Sequence, residues 1–223
     1  MKHVALVTCS TFPRLSQSDE HLVDPLKTEG FIPYVVPWDK KGVDWSLFDT
    51  IILRSCWNYP EKYSLFLDWL AGINTKIYNP AAIIKWNSHK SYLLDLGKKG
   101  IPIIPTVIKP AIGNRGRGVE YLVQPFIPEI AQEGEYRFIF IGGKLTHTVL
   151  KTQKKVTLVQ PSQALAQQAA HALDTDFLYA RVDGINRSGI FLLLELELIE
   201  PHLYFDMNPF AATRFAQTLK SYG

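Results

Sequence analysis

The stretch YARVDGINRSGIFLLLELELIEP, Tyr179 to Pro201, sets carboxylates at Asp183, Glu195 and Glu197, with Glu200 just beyond, in a leucine-rich run. Arg187–Ser188–Gly189 reads as a three-residue loop with glycine in the left-handed position, which pairs the flanking segments as a β-hairpin. That register puts Asp183 opposite Leu193 and Arg181 opposite Glu195. Side chains alternate along a strand, so Arg181, Asp183, Glu195 and Glu197 share one face. Leu192, Leu194, Leu196 and Leu198 then take the other face and belong to the core. A two-residue loop would send Asp183 to the wrong side. Three carboxylates this close raise one another's pKa, each pair costing on the order of 1–4 kcal/mol. One arginine cannot balance them. An all-oxygen cluster suits a hard cation such as Mg2+, while an exposed sheet face with Arg181 paired to Glu195 accounts for the same residues without a metal.

The stretch VIKPAIGNRGRG points the same way. Lys109 ends a strand, and Gly113, Gly116 and Gly118 let backbone N–H groups turn inward. Arg115 and Arg117 add charge. Such a loop can close over a polyphosphate with Lys109 as a point cation, although a surface turn has the same composition. It is neither a Walker A loop nor the dinucleotide fingerprint. A loop for phosphate, a second isolated lysine (Lys90) and three acids together suggest a Mg-nucleotide.

The elements that must position these residues fall into two groups. His3–Cys9, Phe31–Trp38, Thr50–Cys56 and KIYNP read as strands, with helices over Asp19–Glu29 and Tyr63–Ala71, which predicts a parallel doubly wound sheet for residues 1–80. A helical stretch from Ala81 is closed by Gly100. Beyond it the chain is β-rich, with a hairpin at Gly142–Gly143, a helix in PSQALAQQAAHAL and a last helix over Pro209–Ser221. The expected fold is an N-terminal α/β domain followed by an α+β domain over 81–223, with the glycine-rich loop inside the second.

A net charge of +3 with no basic stripe argues against a nucleic-acid partner. No apolar run is long enough to span a bilayer, and the first residues show no cleavage pattern. Cys9 and Cys56 lack metal-ligand spacing and are expected as buried, reduced thiols of a cytoplasmic protein.

These motifs, in this order, resemble the ATP-grasp superfamily, in particular its glutathione-synthetase-like and RimK-like branch and the small ATP-grasp proteins related to the D-cycloserine cyclo-ligase. The resemblance runs along essentially the whole chain, through VPWDKKGVDWSLFDTIILRSCWNYP, NPAAIIKWNSHKSYLLDLGKKGIPIIPT, VIKPAIG, LVQPFIPEIAQEGEYRFIFIGGKLTH, LYARVDGINRSGIFLLLELELIEP and NPFAATRFA. It implies a pre-ATP-grasp domain followed by a two-subdomain ATP-grasp fold, with a lid subdomain over about 107–127. It also implies ATP and Mg2+, with Mn2+ as a substitute, and formation of a C–N bond through an acyl phosphate. By position, Lys90 and Lys109 would contact phosphates, and Gln124, Pro125, Phe126 and Ile127 would face adenine. Glu135 would hold ribose hydroxyls. Arg137 would face the phosphate and acceptor side, Asp183, Glu195 and Glu197 would ligate metal, and Arg181 would steady the acyl phosphate.

Many relatives have Asn where this chain has Glu197, and the extra charge should tighten metal binding. Relatives also carry further helix, strand and loop between Thr106 and Val107, around Asn114–Val119 and between Thr152 and Val156. Either the chain is a reduced form or the 223 residues join segments separated by further chain in the whole protein. The second is expected, because the shortfalls fall where a cover over nucleotide has to move. The substrate is expected to be a small amino-acid-like molecule. LRSCWNYP, at the end of a parallel strand, offers Arg54 for a substrate carboxylate and Trp57, Asn58 and Tyr59 as a wall; Cys9–Ser10–Thr11 occupies a similar place after the first strand. A loop packing its aromatics on the domain interface explains LRSCWNYP equally well. A homodimer is the default assembly. The alternative is an ATP-binding sensor or assembly module without ligase activity. An NAD-dependent oxidoreductase is disfavoured by the missing fingerprint.

Overall fold

Runs of β-branched and aliphatic residues bounded by turn residues build the first sheet. β1 (Lys2–Thr8), β2 (Phe31–Pro37), β3 (Thr50–Leu53) and β4 (Ile77–Tyr78) lie side by side in the order β2-β1-β3-β4, all parallel. The structure is a computed structural model that describes the backbone of residues 1–110, 120–173 and 177–223, and their side chains apart from 108–110 and 120–122. Between β1 and β2 the expected single helix is two short ones, α1 (Gln17–Glu20) and α2 (Val23–Thr28). Pro25 lacks the N–H that would carry the helix across His21, so the chain restarts there. α3 (Tyr63–Gly72) crosses from β3 to β4.

The helical stretch after β4 is likewise divided, into α4 (Ala81–Asn87) and α5 (Tyr92–Lys98). Polar side chains compete with the helix at the break: Ser88 Oγ donates to the Lys85 carbonyl, and the Ser91 N–H donates to His89 Nδ1. Lys90 therefore sits in a turn between helices, not on a helix. Gly100, at φ +87°, ends α5 as expected.

β5 (Val107–Pro110) and β6 (Glu120–Val123) form an antiparallel hairpin, and α6 (Pro128–Gln132) follows. The second large sheet is antiparallel in the order β11-β10-β7-β8-β9, from β7 (Glu135–Ile141), β8 (Lys144–Lys151), β9 (Val156–Val159), β10 (Tyr179–Arg187) and β11 (Ile190–Glu197). A tight turn in which the Thr152 N–H donates to the Lys155 carbonyl joins β8 to β9. α7 (Gln163–Ala170) packs on β11, and α8 (Pro209–Ser221) closes the chain over the span expected for it.

One core runs through both sheets: Val4, Leu6 and Ile52 of the first pack with Ile139, Ile141 and Tyr179 of the second and with Phe215 of α8. Cys9 and Cys56 are both buried and free. No helix among the described residues is long and apolar enough to cross a membrane.

Candidate active site

The acids reach one face by a route the sequence disguises. The β10–β11 loop has two residues, not three: Arg187 pairs with Ile190, and Ser188 and Gly189 take φ of +51° and +86°. Such a turn matches the twist of the strands. Alone it would turn Asp183 away from the glutamates. A bulge between Asp183 and Gly184 leaves Leu194 without a partner and restores the face, so Asp183 stands opposite Glu195 and Arg181 opposite Glu197. Both expected pairings are thus corrected by two positions, while the gathering of the acids holds. Gly184 marks the bulge because Phe191 lies against it: a Cβ there would sit 2.3 Å from the Phe191 ring. The leucine assignment also changes. Phe191 and Leu193 join Leu196 and Leu198 in the core, while Leu192 and Leu194 pack with Ile104, Ile127 and Ile185 on the acidic side.

One oxygen from each of Asp183, Glu195 and Glu197 lies within 4.8 Å of the others. At that spacing two like charges repel by about 3 kcal/mol at an effective dielectric of 20, so the trio needs cations. Buried Arg181 supplies one, with Nε 2.8 Å from Asp183 Oδ1, Nη2 2.8 Å from Asp183 Oδ2, and a further bond to Glu197. Arg181 opposes Glu197, not Glu195, whose partner is Lys90. Burial would lower the Arg181 pKa, but Asp183 and Glu197 more than compensate, so it stays charged. Burial first, then repulsion by Asp183, pushes the Glu197 carboxyl up. Three carboxylate oxygens gathered at this spacing form a donor set that fits a hard divalent cation.

β7 brings two more members. Arg137 pairs across the sheet with Asp183, its Nε 3.8 Å from Asp183 Oδ2. It also holds Glu135 and donates to Tyr204 Oη at 2.5 Å. Glu135 lines a cleft of about 450 Å3 with Pro125, Phe126, Ile127 and Ile130, so the segment expected to face adenine and the carboxylate expected for ribose share one recess. Phe126 is 81% exposed at its edge. Gln124 turns its amide to Thr106 Oγ1 at 2.9 Å. The backbone of Lys109 pairs with Tyr121 in the β5–β6 hairpin; its side chain, Gly113 and Gly116 lie outside what the structure describes.

Side-chain amides and a phenol anchor the acidic hairpin to the loop after β4 and to helices α4 and α5. The Asn79 amide donates to the Tyr179 and Leu198 carbonyls at 2.8 and 2.7 Å, and Asn87 bridges the Leu196 carbonyl and the Leu198 N–H. Tyr92 Oη accepts from the Leu196 N–H at 3.0 Å. None of these was singled out in the sequence, since a lone Asn among helical residues carries no pattern.

The loop after β3 is less open than expected. Arg54 is 1% exposed, paired with Asp19 at 2.8 Å and donating to the Pro201 carbonyl. It ties the end of β3 to the segment after β11 and is shut off from solvent, with only its buried Nη1 left without a partner. Asn58 is also buried, accepting from Trp38 Nε1 and donating to Asp39. Asp39 further binds Ser10 and Lys62, and these bonds outweigh the upward push of burial to hold its carboxyl well below the usual range. Trp57 alone of that wall is exposed, edge-on to Phe12.

Residues 4–79 match the family model described as D-cycloserine synthetase DcsG, N-terminal domain. The cycloserine biosynthesis protein DcsG of Streptomyces lavendulae is 25% identical over 290 aligned positions, covering 97% of each chain. An alignment that long opens gaps in a chain of 223 residues. The crystal structure of D-cycloserine synthetase DcsG superposes with a TM-score of 0.88 at 23% identity, covering 99% of both chains. A RimK domain ATP-grasp protein from Sphaerobacter thermophilus gives 0.72 at 14%, covering 98% of this chain and 99% of its own. The ATP-grasp ligase PsnB, solved with Mg and ADP, gives 0.64 at 12%, covering 99% and 98%. The chain thus shares the fold of these ATP-grasp proteins.

Proposed function

We propose that the protein is an ATP- and Mg2+-dependent ligase that joins the carboxylate of a small amino-acid-like substrate to a nitrogen through an acyl phosphate. The observation that carries this reading is the meeting of three carboxylate oxygens within 4.8 Å, beside buried Arg181 and across the sheet from Arg137. Nucleotide binding alone does not require so costly an arrangement. The family resemblance and the likeness to DcsG, a cycloserine biosynthesis protein, support the same class of reaction.

Asp183, Glu195 and Glu197 would hold the metal, which supplies charge neutralisation at the phosphates. The recess at Pro125–Ile127 would take the base and Glu135 the ribose. The substrate carboxylate attacks the γ-phosphorus, and the bond to the β-bridging oxygen breaks to release ADP. The nitrogen then adds to the acyl carbon, expels phosphate and loses a proton. Arg181 and Arg137 would steady negative charge on the transferring group, work that positioning and electrostatics perform without a covalent enzyme intermediate.

The test is ADP release from Mg-ATP across a panel of amino acids and their ureido derivatives. Turnover stimulated by one acceptor and lost in Asp183→Asn, with the native circular dichroism spectrum retained, is the expected result. Nucleotide binding without acceptor-stimulated turnover, or full turnover in Asp183→Asn, overturns it.

A further inference from the structure

A second, smaller recess of about 140 Å3 opens beside Glu195 and Glu197, between the loop after β3 and the α4–α5 turn. Most of its polar lining is already occupied. Asn87 is bound to the β11 backbone, Ser88 Oγ to Tyr63 and the Lys85 carbonyl, and Lys90 to Glu195. Two groups are not. Glu200 Oε2 is buried and has no hydrogen-bond partner, and the Tyr59 hydroxyl makes no hydrogen bond among the described residues. Glu200 also stands outside the three-carboxylate group. Arg54, whose buried Nη1 also lacks a hydrogen-bond partner, offsets part of the Glu200 charge, while its other nitrogens are held by Asp19 and the Pro201 carbonyl.

A buried carboxylate oxygen without a donor is costly, and the molecule tolerates this one next to its chemistry. What such a recess lacks is a small group rich in N–H donors carrying positive charge. The size limits the occupant to a few heavy atoms, since a water takes about 30 Å3. We infer that this recess binds the amine end of the second substrate, a small primary amine held by Glu200 and Tyr59. Its assignment as the nucleophile's subsite rests on the ligase reading; its capacity to bind an amine does not. Burial first, then Glu197, pushes the Glu200 carboxyl up to about 8, and a cation in the recess would draw it back toward the ionised form.

Calorimetric titration of the full chain with glycinamide and ethanolamine, in saturating Mg-AMPPNP, tests this, with ethylene glycol as the uncharged control. At least one amine should bind while ethylene glycol does not. Glu200→Gln should weaken the amine by about tenfold or more, and Tyr59→Phe should weaken it by about threefold. Both variants should bind Mg-AMPPNP as the wild type does. Absence of amine binding to the wild type, or unchanged amine affinity in Glu200→Gln, overturns the inference. If Glu200→Gln fails to fold, Tyr59→Phe decides alone. Failure of the ligase reading shows separately, as absence of acceptor-stimulated ADP release, with or without Mg-AMPPNP binding to the wild type. The amine titrations are then run on nucleotide-free protein with the same criteria.

Discussion

Replacing Gly184 by alanine strikes the point on which the acidic face depends. The added Cβ would meet two ring carbons of Phe191 at 2.3 and 2.4 Å and the Leu192 carbonyl oxygen at 2.5 Å, well inside the ~3.5–4 Å of ordinary contact. Phe191 is 1% exposed and packed edge-on against Phe138 at 5.4 Å, so the ring cannot swing clear without disturbing the core. The carbonyl belongs to the paired strand and moves only if the strands separate. Overpacking of this kind costs about 1–3 kcal/mol, and the backbone clash places this site at the upper end. A loss of about 3 kcal/mol lowers the melting temperature of a chain this long by roughly 6–12 °C. If the hairpin escapes by giving up its bulge, Asp183 turns away from Glu195 and Glu197, and Mg-AMPPNP affinity falls by about tenfold or more. Urea denaturation, scanning calorimetry and nucleotide titration read the two effects. Adding Phe191→Leu should relieve the ring clash but leave the carbonyl clash, so recovery is partial. A Gly184→Ala protein within about 0.5 kcal/mol of wild type, with unchanged Mg-AMPPNP affinity, refutes the role given to the bulge.

Burial depresses the pKa of His147 to about 4, below the 6.5 of an exposed histidine. The unfolded chain therefore takes up the proton first, and stability is full above about pH 6.5 and falls as pH drops toward 4, by up to about 3 kcal/mol. His147→Gln should flatten that slope in urea titrations. Arg54→Met strands Asp19 in the interior and should cost about 3–5 kcal/mol, most of it recovered in Arg54→Met/Asp19→Leu; a neutral single variant contradicts the buried pairing. Asn87→Ala leaves the Leu196 carbonyl and the Leu198 N–H unpaired, which should cost about 2–4 kcal/mol and weaken metal-nucleotide binding through β11; unchanged metal-nucleotide affinity contradicts a positioning role.

The parallel sheet, the last helix and the convergence of the acids were legible because each rests on local pattern. Alternation and turn residues bound β1 to β3, and the distribution of carboxylates along β10 and β11 betrays a shared face. The register was not legible. A two-residue turn and a bulge each shift the pairing by one, and together they mimic on one face the outcome of a three-residue loop. Only the clash distance at Gly184 tells the two apart. Arg54 reads as a ligand for substrate because it follows a parallel strand, yet its partner Asp19 lies far away in sequence and carries no pattern linking the two. Tyr204, which holds Arg137 from a backbone at φ +52°, is equally silent in the sequence, because left-handed geometry in a tyrosine is imposed by tertiary packing.

The central claim is that Asp183, Glu195 and Glu197 together hold the cation of a nucleotide. Crystals grown with Mn2+ and AMPPNP locate that ion directly by its anomalous scattering. The account predicts a peak within coordination distance of all three carboxylates, with the base in the recess at Pro125–Ile127. A peak elsewhere, or AMPPNP bound with these carboxylates still closed on Arg181 and Lys90, contradicts it.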